Sequence, residues 1–166
     1  MKNKKIIVWL FSIAVIFAAT AFLSRGASPA NPSPAVALGS GVLSSAETSH
    51  DFGEISMSAG KVSYVFPIKN MSAENAVIRK IYTSCMCTEA RLLLGGEVYG
   101  PFGMQGHGSI PVINKIVAPN EEAKVEVTFD PAAHGPAGIG KIDRTVFIEN
   151  GGGVPVELHF TAFVKP

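Results

Sequence analysis

Apolar and polar residues alternate with a period of two along much of the chain after residue 50. The longest such run covers 154–165, and shorter runs cover 62–69 and 124–129. This alternation is typical of β-strands that turn one face to a core and the other to solvent. We predict further strands at 50–55, 76–84, 88–94 and 142–149.

Turn-forming residues separate these runs, for example at 58–60, 70–74 and 150–153. No stretch of this part of the sequence shows the 3.6-residue period of an amphipathic helix. About seven short strands with turns between them predict an all-β fold, an immunoglobulin-like β-sandwich, over residues 47–166.

The first 25 residues have the pattern of a signal or anchor segment. Three lysines lie within residues 2–5, and an apolar run follows at 6–23. We predict a hydrophobic helix that keeps its basic flank in the cytoplasm and places the rest of the chain outside. The run is long enough for a single-pass membrane anchor, whereas cleavage after Ala19-Thr20-Ala21 would release a secreted protein.

Residues 26–46 are predicted to be a flexible linker. They contain no charged residue and consist mostly of Ala, Ser, Gly and Pro, which cannot form a core.

Charge and cysteine content exclude two classes of protein. Four of the 14 Lys and Arg precede residue 47, whereas all 13 Asp and Glu lie at or after it. The predicted domain is therefore acidic and lacks the basic surface of a nucleic-acid binder. Two cysteines are too few for a disulfide-rich scaffold.

Cys85 and Cys87 are the main candidates for chemistry, and three interpretations stay open. On a strand, positions i and i+2 point to the same face. The pair is then a strained, easily reduced disulfide, a packed pair of structural thiols, or two thiolate ligands of a soft metal ion such as Cu(I) or zinc.

The glycine-rich segment 95–108 supplies further candidate ligands. It carries Met104 and His107, and we expect it to be a loop that folds back over the cysteines. Thiolate, thioether and imidazole together are ligands that copper(I) favours. His134, in the turn-rich segment 130–136, is a further candidate for the same site.

The sequence contains none of the common hydrolase, metalloprotease, phosphate-loop or dinucleotide-binding motifs. We therefore predict a non-enzymatic domain, tethered to the membrane by its N-terminal segment, that binds another protein of the cell envelope or has a structural role there. The alternative is an accessory domain that binds copper or exchanges thiols through its C-x-C pair.

Four motifs in a fixed order give the domain a family resemblance. They are H-D-F-G at 50–53, S-C-M-C-T at 84–88, A-P-N-E at 118–121 and V-T-F-D at 127–130. This order resembles the bacterial immunoglobulin-like family known as domain of unknown function fifteen-seventy-three, over about residues 48–166. Met86 and Asn120 stand where that family usually has glycine. The resemblance implies a sandwich and an exported location, and it implies no established biochemical function.

Overall fold

The computed structural model describes residues 41–151 and 153–166. Within them, ten strands form two five-stranded sheets. The strands are β1 (Leu43–Ser44), β2 (Ser49–Ser56), β3 (Val62–Asn70), β4 (Ala76–Thr83), β5 (Thr88–Leu94), β6 (Glu97–Phe102), β7 (Lys115–Val117), β8 (Glu122–Phe129), β9 (Gly140–Asn150) and β10 (Val156–Lys165). Two short 3-10 helices lie at Met57–Ala59 and Gly135–Gly138.

The predicted N-terminal helix, its cleavage site and the linker up to residue 40 lie outside the described residues. Within the described part, no helix is long and apolar enough to cross a membrane. Leu43 and Ser44, in the predicted linker, form β1 and pair with the end of β3. The sandwich therefore begins before the predicted boundary at residue 47.

The order of the strands resembles that of immunoglobulin-like sandwiches. One sheet has the order β1-β3-β8-β5-β6 and the other β2-β10-β9-β4-β7. The runs β1-β3-β8-β5 and β10-β9-β4 match the ABED and GFC sheets of that fold. The prediction of an all-β, two-sheet protein is confirmed, and all seven predicted strands are present. The three additional strands are β1, β6 and β7.

Side-chain alternation explains why these segments pair as they do. In β10, the side chains of Leu158, Phe160, Ala162 and Val164 are buried between the sheets, whereas Glu157 and Phe163 are exposed. β10 pairs with β9 on one side, antiparallel, and with β2 on the other, parallel. Because β10 lies between two strands, it carries a large share of the packing of its sheet.

The H-D-F-G motif attaches β2 to the sandwich. The His50 ring stacks on Tyr64 with 3.6 Å between ring centroids, and Phe52 meets Phe160 edge-on at 5.5 Å. The Asp51 carboxylate accepts hydrogen bonds from the Gly53 amide and the Thr161 hydroxyl, both at 3.0 Å. The residues of this motif therefore have structural roles: His50 and Phe52 pack on neighbouring aromatic rings, and Asp51 joins β2 to β10.

Part of the predicted loop 95–108 is in fact a strand. Gly95 and Gly96 both have positive φ (61° and 84°) and join β5 to β6 in a two-residue hairpin. Two consecutive positive φ values suit a turn whose twist matches the flanking strands. Residues 97–102 consequently extend the first sheet instead of folding back over the cysteines.

We predict that truncation of the β10 core is far more costly than truncation on its exposed face. Leu158→Ala removes a fully buried side chain and is expected to lower the free energy of unfolding by about 2–5 kcal/mol. Glu157→Ala, on the neighbouring exposed position, should change it by less than about 0.5 kcal/mol. Chemical denaturation of the full-length protein measures both, and equal losses would contradict the observed register of β10.

Candidate functional site

The C-x-C pair lies in the turn by which the chain crosses from one sheet to the other. β4 ends at Thr83 in the second sheet, and β5 begins at Thr88 in the first. The Thr88 amide donates to the Cys85 carbonyl at 3.1 Å and so closes a β-turn. The Thr83 hydroxyl, in a side chain only 1% exposed, donates to the carbonyls of Cys85 (2.9 Å) and Thr88 (3.2 Å).

This turn directs both cysteines inward. Cys85 and Cys87 are 9% and 3% exposed, whereas Met86 is 54% exposed. The prediction that the two thiols share one side is correct, but the reason is different. A tight turn, and not the alternation of a strand, produces this arrangement.

His134 reaches the cysteines from the loop between β8 and β9. The Asp130 amide donates to the Cys87 carbonyl at 2.9 Å, which ties that loop to the turn. The Asp130 carboxylate caps the next turn by accepting from the Ala132 amide at 2.9 Å. The imidazole Nε2 of His134 then lies 3.2 Å from the Cys85 Sγ. The two sulfurs and one imidazole nitrogen all lie within 4.8 Å of one another.

Arg144 adds a positive charge to this cluster. The Ser84 amide donates to the Thr145 carbonyl, and the Thr145 amide donates to the Ser84 hydroxyl, both at 2.9 Å. This register sets the β9 residue Arg144 beside the turn, where its guanidinium interacts with both cysteine sulfurs. Nη1 donates to the Asp143 carbonyl at 2.8 Å, and Nε is buried without a hydrogen-bond partner among the described residues.

The surroundings make the two thiols unequal. Burial opposes ionisation of Cys85, but hydrogen bonds from the Cys87 thiol and His134, together with the Cys87 amide and the Arg144 charge, outweigh it and lower its pKa to about 7. Burial, and then donation to Cys85, raise the pKa of Cys87. The site therefore favours a Cys85 thiolate beside a protonated Cys87 thiol, and the Cys87 amide donates to the Cys85 sulfur at 3.4 Å.

A small polar pocket adjoins Cys87. Its volume is about 110 Å³. Its lining comprises Lys61, Met86, Cys87, Glu89, Thr128, Asp130 and Ala133. The pocket is large enough to hold a few water molecules beside Cys87.

The predicted ligands are thus brought together only in part. Cys85, Cys87 and His134 form the cluster, which does not include the exposed His107. Met104 pairs with Thr83 in an isolated bridge, and the Thr83 amide donates to the Gly103 carbonyl at 3.0 Å. The segment therefore returns beside the end of β4, and the roles of Met104 and His107 as ligands stay predictions.

Sequence reasoning missed Arg144. It lies 57 and 59 positions from the two cysteines in the sequence, and only the pairing of β9 with β4 brings it to the turn. The predicted strand 142–149 holds three charged residues, Asp143, Arg144 and Glu149, so its sequence does not single out Arg144.

Comparison with known proteins gives a family match over part of the chain and similarities of fold. The family described as protein of unknown function (DUF1573) matches residues 43–93, which confirms over that segment the resemblance indicated by the motifs. No curated protein matches the sequence.

Among solved structures, a protein of unknown function from Porphyromonas gingivalis W83 is similar, with a TM-score of 0.54, 14% identity and coverage of 74% of this chain. This chain covers 46% of that protein, so it spans about half of the relative's length. The PapD-like domain 7 of human CEP192 is similar with a TM-score of 0.44 and 12% identity, over 74% of this chain and 84% of that domain. The first similarity supports the fold alone.

Met86 and Asn120, the two residues that stand where the motif resemblance leads us to expect glycine, fit the backbone. Asn120 has a φ of 61°, a left-handed conformation that asparagine tolerates better than most residues with a side chain. The φ angle of Met86 is not in the left-handed region, so its backbone can carry any side chain. The Met86 side chain extends toward solvent. A glycine is therefore not required at either position.

We predict that Cys85 is the more reactive thiol at neutral pH. Alkylation of the full-length protein by iodoacetamide, followed by peptide mass spectrometry, should show a Cys85 rate that rises with a midpoint near pH 7, because its pKa is lowered to about 7. Cys87 should react more slowly at every pH below its raised pKa.

The matched variant for this measurement is His134→Ala. It removes a hydrogen bond to the Cys85 sulfur, so the midpoint should move to higher pH. His107→Ala is the control and should leave the midpoint unchanged. Equal rates and midpoints for the two cysteines would contradict the described geometry.

Proposed function

We propose that this domain is a non-enzymatic, immunoglobulin-like module of the cell envelope that binds a soft metal ion, copper(I), through Cys85, Cys87 and His134. One observation carries the proposal, namely the convergence of two thiol sulfurs and an imidazole nitrogen within 4.8 Å. Two loops supply these three atoms, the turn between β4 and β5 and the loop between β8 and β9, so that residues distant in sequence meet at one point.

The distances suit a metal ion after small side-chain adjustments. Metal–sulfur and metal–nitrogen bonds of about 2.0–2.3 Å place neighbouring ligand atoms roughly 3.5–4 Å apart. Thiolate ligands select soft ions such as copper(I), and imidazole suits copper as well. A zinc ion would in addition need a fourth ligand to complete its usual tetrahedron.

The lowered pKa of one of the two thiols, Cys85, also favours binding. A metal must displace protons from cysteine ligands, so affinity rises with the ease of deprotonation. The lowered pKa of Cys85 reduces that cost near neutral pH, and the Arg144 charge interacts favourably with both thiolates. The Asp130–Cys87 backbone hydrogen bond holds the two loops in place before the ion arrives.

We predict one equivalent of copper(I) per full-length chain under reducing conditions. Competition with a coloured copper(I) chelator measures the affinity. Cys85→Ser and Cys87→Ser should each abolish stoichiometric binding, and His134→Ala should weaken it about tenfold or more, since losing one of three ligands removes a metal bond.

His107→Ala and Met104→Leu are the companion variants. They test the two additional ligands predicted from the sequence, and unchanged affinity in both would leave a three-ligand site. Retention of one equivalent of copper by the Cys85→Ser/Cys87→Ser double variant would refute the proposed site.

The same residues favour a second candidate function, thiol–disulfide exchange. The supporting observation is the Cys85–His134 hydrogen bond with a second thiol beside it. The Cys85 thiolate would attack a low-molecular-weight disulfide and release one thiolate, and Cys87 would then displace the second thiolate while losing its proton. The dithiol is thereby oxidised to a disulfide, and the incoming disulfide is reduced to two thiols.

Equilibration with a glutathione redox buffer distinguishes this candidate from metal binding. A mass decrease of the isolated protein by two hydrogens, reversed by excess glutathione, would support exchange. A chain that stays reduced throughout would refute it.

We also propose that the domain acts outside the cytoplasmic membrane, anchored by residues 6–23, where it meets a partner protein of the envelope. The basic start and the apolar run of the sequence support this location.

We predict that alkaline phosphatase fused after Pro166 is active, because that enzyme needs an oxidising compartment for its disulfides. A fusion at the same position that is active only with a cytoplasmic reporter would contradict export. Retention of the protein in the membrane fraction would support the anchor, whereas its release would support cleavage at Ala19-Thr20-Ala21.

A further inference from the structure

A half-buried arginine beside two potential thiolates is unusual for a site that binds a cation. Arg144 lies on β9, and the backbone pairing of Ser84 with Thr145 fixes its position next to the turn. Its guanidinium interacts with both sulfurs. Its Nε has no hydrogen-bond partner among the described residues, although it is buried. This leaves the guanidinium only partly satisfied in the metal-free protein.

We propose that Arg144 determines the metal preference of the site, so that it holds monovalent copper in preference to divalent zinc. This inference rests on the metal-binding function proposed above, and it names the ion class that the site selects. Arg144 acts here as a specificity-determining residue, through its charge and not as a ligand.

The argument follows from counting charges. Copper(I) with two thiolates and a neutral imidazole carries a net charge of minus one, which the guanidinium balances to zero. Zinc(II) with the same ligands is neutral, so the guanidinium is left without a counter-charge. Since an unbalanced charge in a buried site is costly, the arginine favours the monovalent ion.

Other charged groups lie near the cluster, and they do not change the comparison. Lys61, Glu89 and Asp130 line the pocket next to Cys87, where water and salt screen them. They are identical in all the variants compared below. A change in metal preference between these variants therefore reports on residue 144.

The test measures copper(I) and zinc(II) affinities of the same full-length protein by chelator competition under reductant. The quantity of interest is the ratio of the two affinities. Arg144→Gln keeps a polar side chain and removes the charge, and it should lower the preference for copper(I) on the order of tenfold. Arg144→Lys keeps the charge and should stay within about threefold of the natural protein.

Lys141→Gln is the matched control, since Lys141 is an exposed cation on the same strand. It should leave the ratio unchanged. Arg144→Met is a second neutral variant that keeps the aliphatic stem, in case Arg144→Gln fails to fold. Circular dichroism checks the fold of each variant.

The outcomes separate the two proposals. If both ions bind and the ratio is the same with and without the charge at residue 144, the inference is overturned while the metal site stands. If the natural protein binds neither ion, the proposed function is overturned, and the inference falls with it.

Discussion

The hydrogen bonds of the buried Thr83 hydroxyl hold the turn by which the chain passes from β4 in one sheet to β5 in the other, and the position of both cysteines depends on that turn. The hydroxyl donates to the carbonyls of Cys85 and Thr88. The Thr88 amide also donates to the Cys85 carbonyl, so the hydroxyl joins the two ends of a turn that a backbone hydrogen bond already closes. By bridging the two carbonyls, the Thr83 hydroxyl holds the turn in which the chain crosses between the sheets in four residues and starts β5 in register with β8, at the pair Thr88–Phe129.

The same turn joins the stability of the fold to the chemistry of the thiols. Cys85 and Cys87 belong to the hydrophobic core, yet they contact an imidazole and a guanidinium. Their turn is held on three sides: by the Thr83 hydroxyl at the end of β4, by the backbone of Thr145 in β9, and by the Asp130 amide in the loop after β8. The side chains of the cluster are therefore oriented by the scaffold, as effective binding sites require.

The sequence predicts structural features that depend on neighbouring residues in the chain, and it does not predict those that depend on contacts between distant segments. The seven alternating strands were recognised because the side-chain period of two is a property of neighbouring residues. β6 was missed because its residues are mostly exposed, with Gly100 and Pro101 within it. β6 is held by backbone hydrogen bonds to β5 after the Gly95–Gly96 turn. Backbone pairing of this kind does not show in the pattern of apolar and polar side chains, so the sequence does not predict it.

The same distinction applies to the site. The C-x-C spacing is local, so the pair was found at once. His134 is 49 residues from Cys85, and it was only one of several histidines that could join the pair. Arg144 required knowledge that Ser84 lies against Thr145, which is a fact of sheet register. A glycine-rich segment looked like a better source of ligands because glycine suggests a loop.

The direction of the strands has a consequence for access to the cluster. β1 pairs with β3 at Asn70, whereas the other end of β3, at Val62, pairs with Phe129 and lies at the same end as Thr88. The nine residues of β3 separate these two ends by about 26 Å. The chain thus enters the domain at one pole, and the thiols lie near the other. The proposed metal site and the point where the described chain begins therefore lie at opposite poles, so that a molecule in contact with one pole does not cover the other.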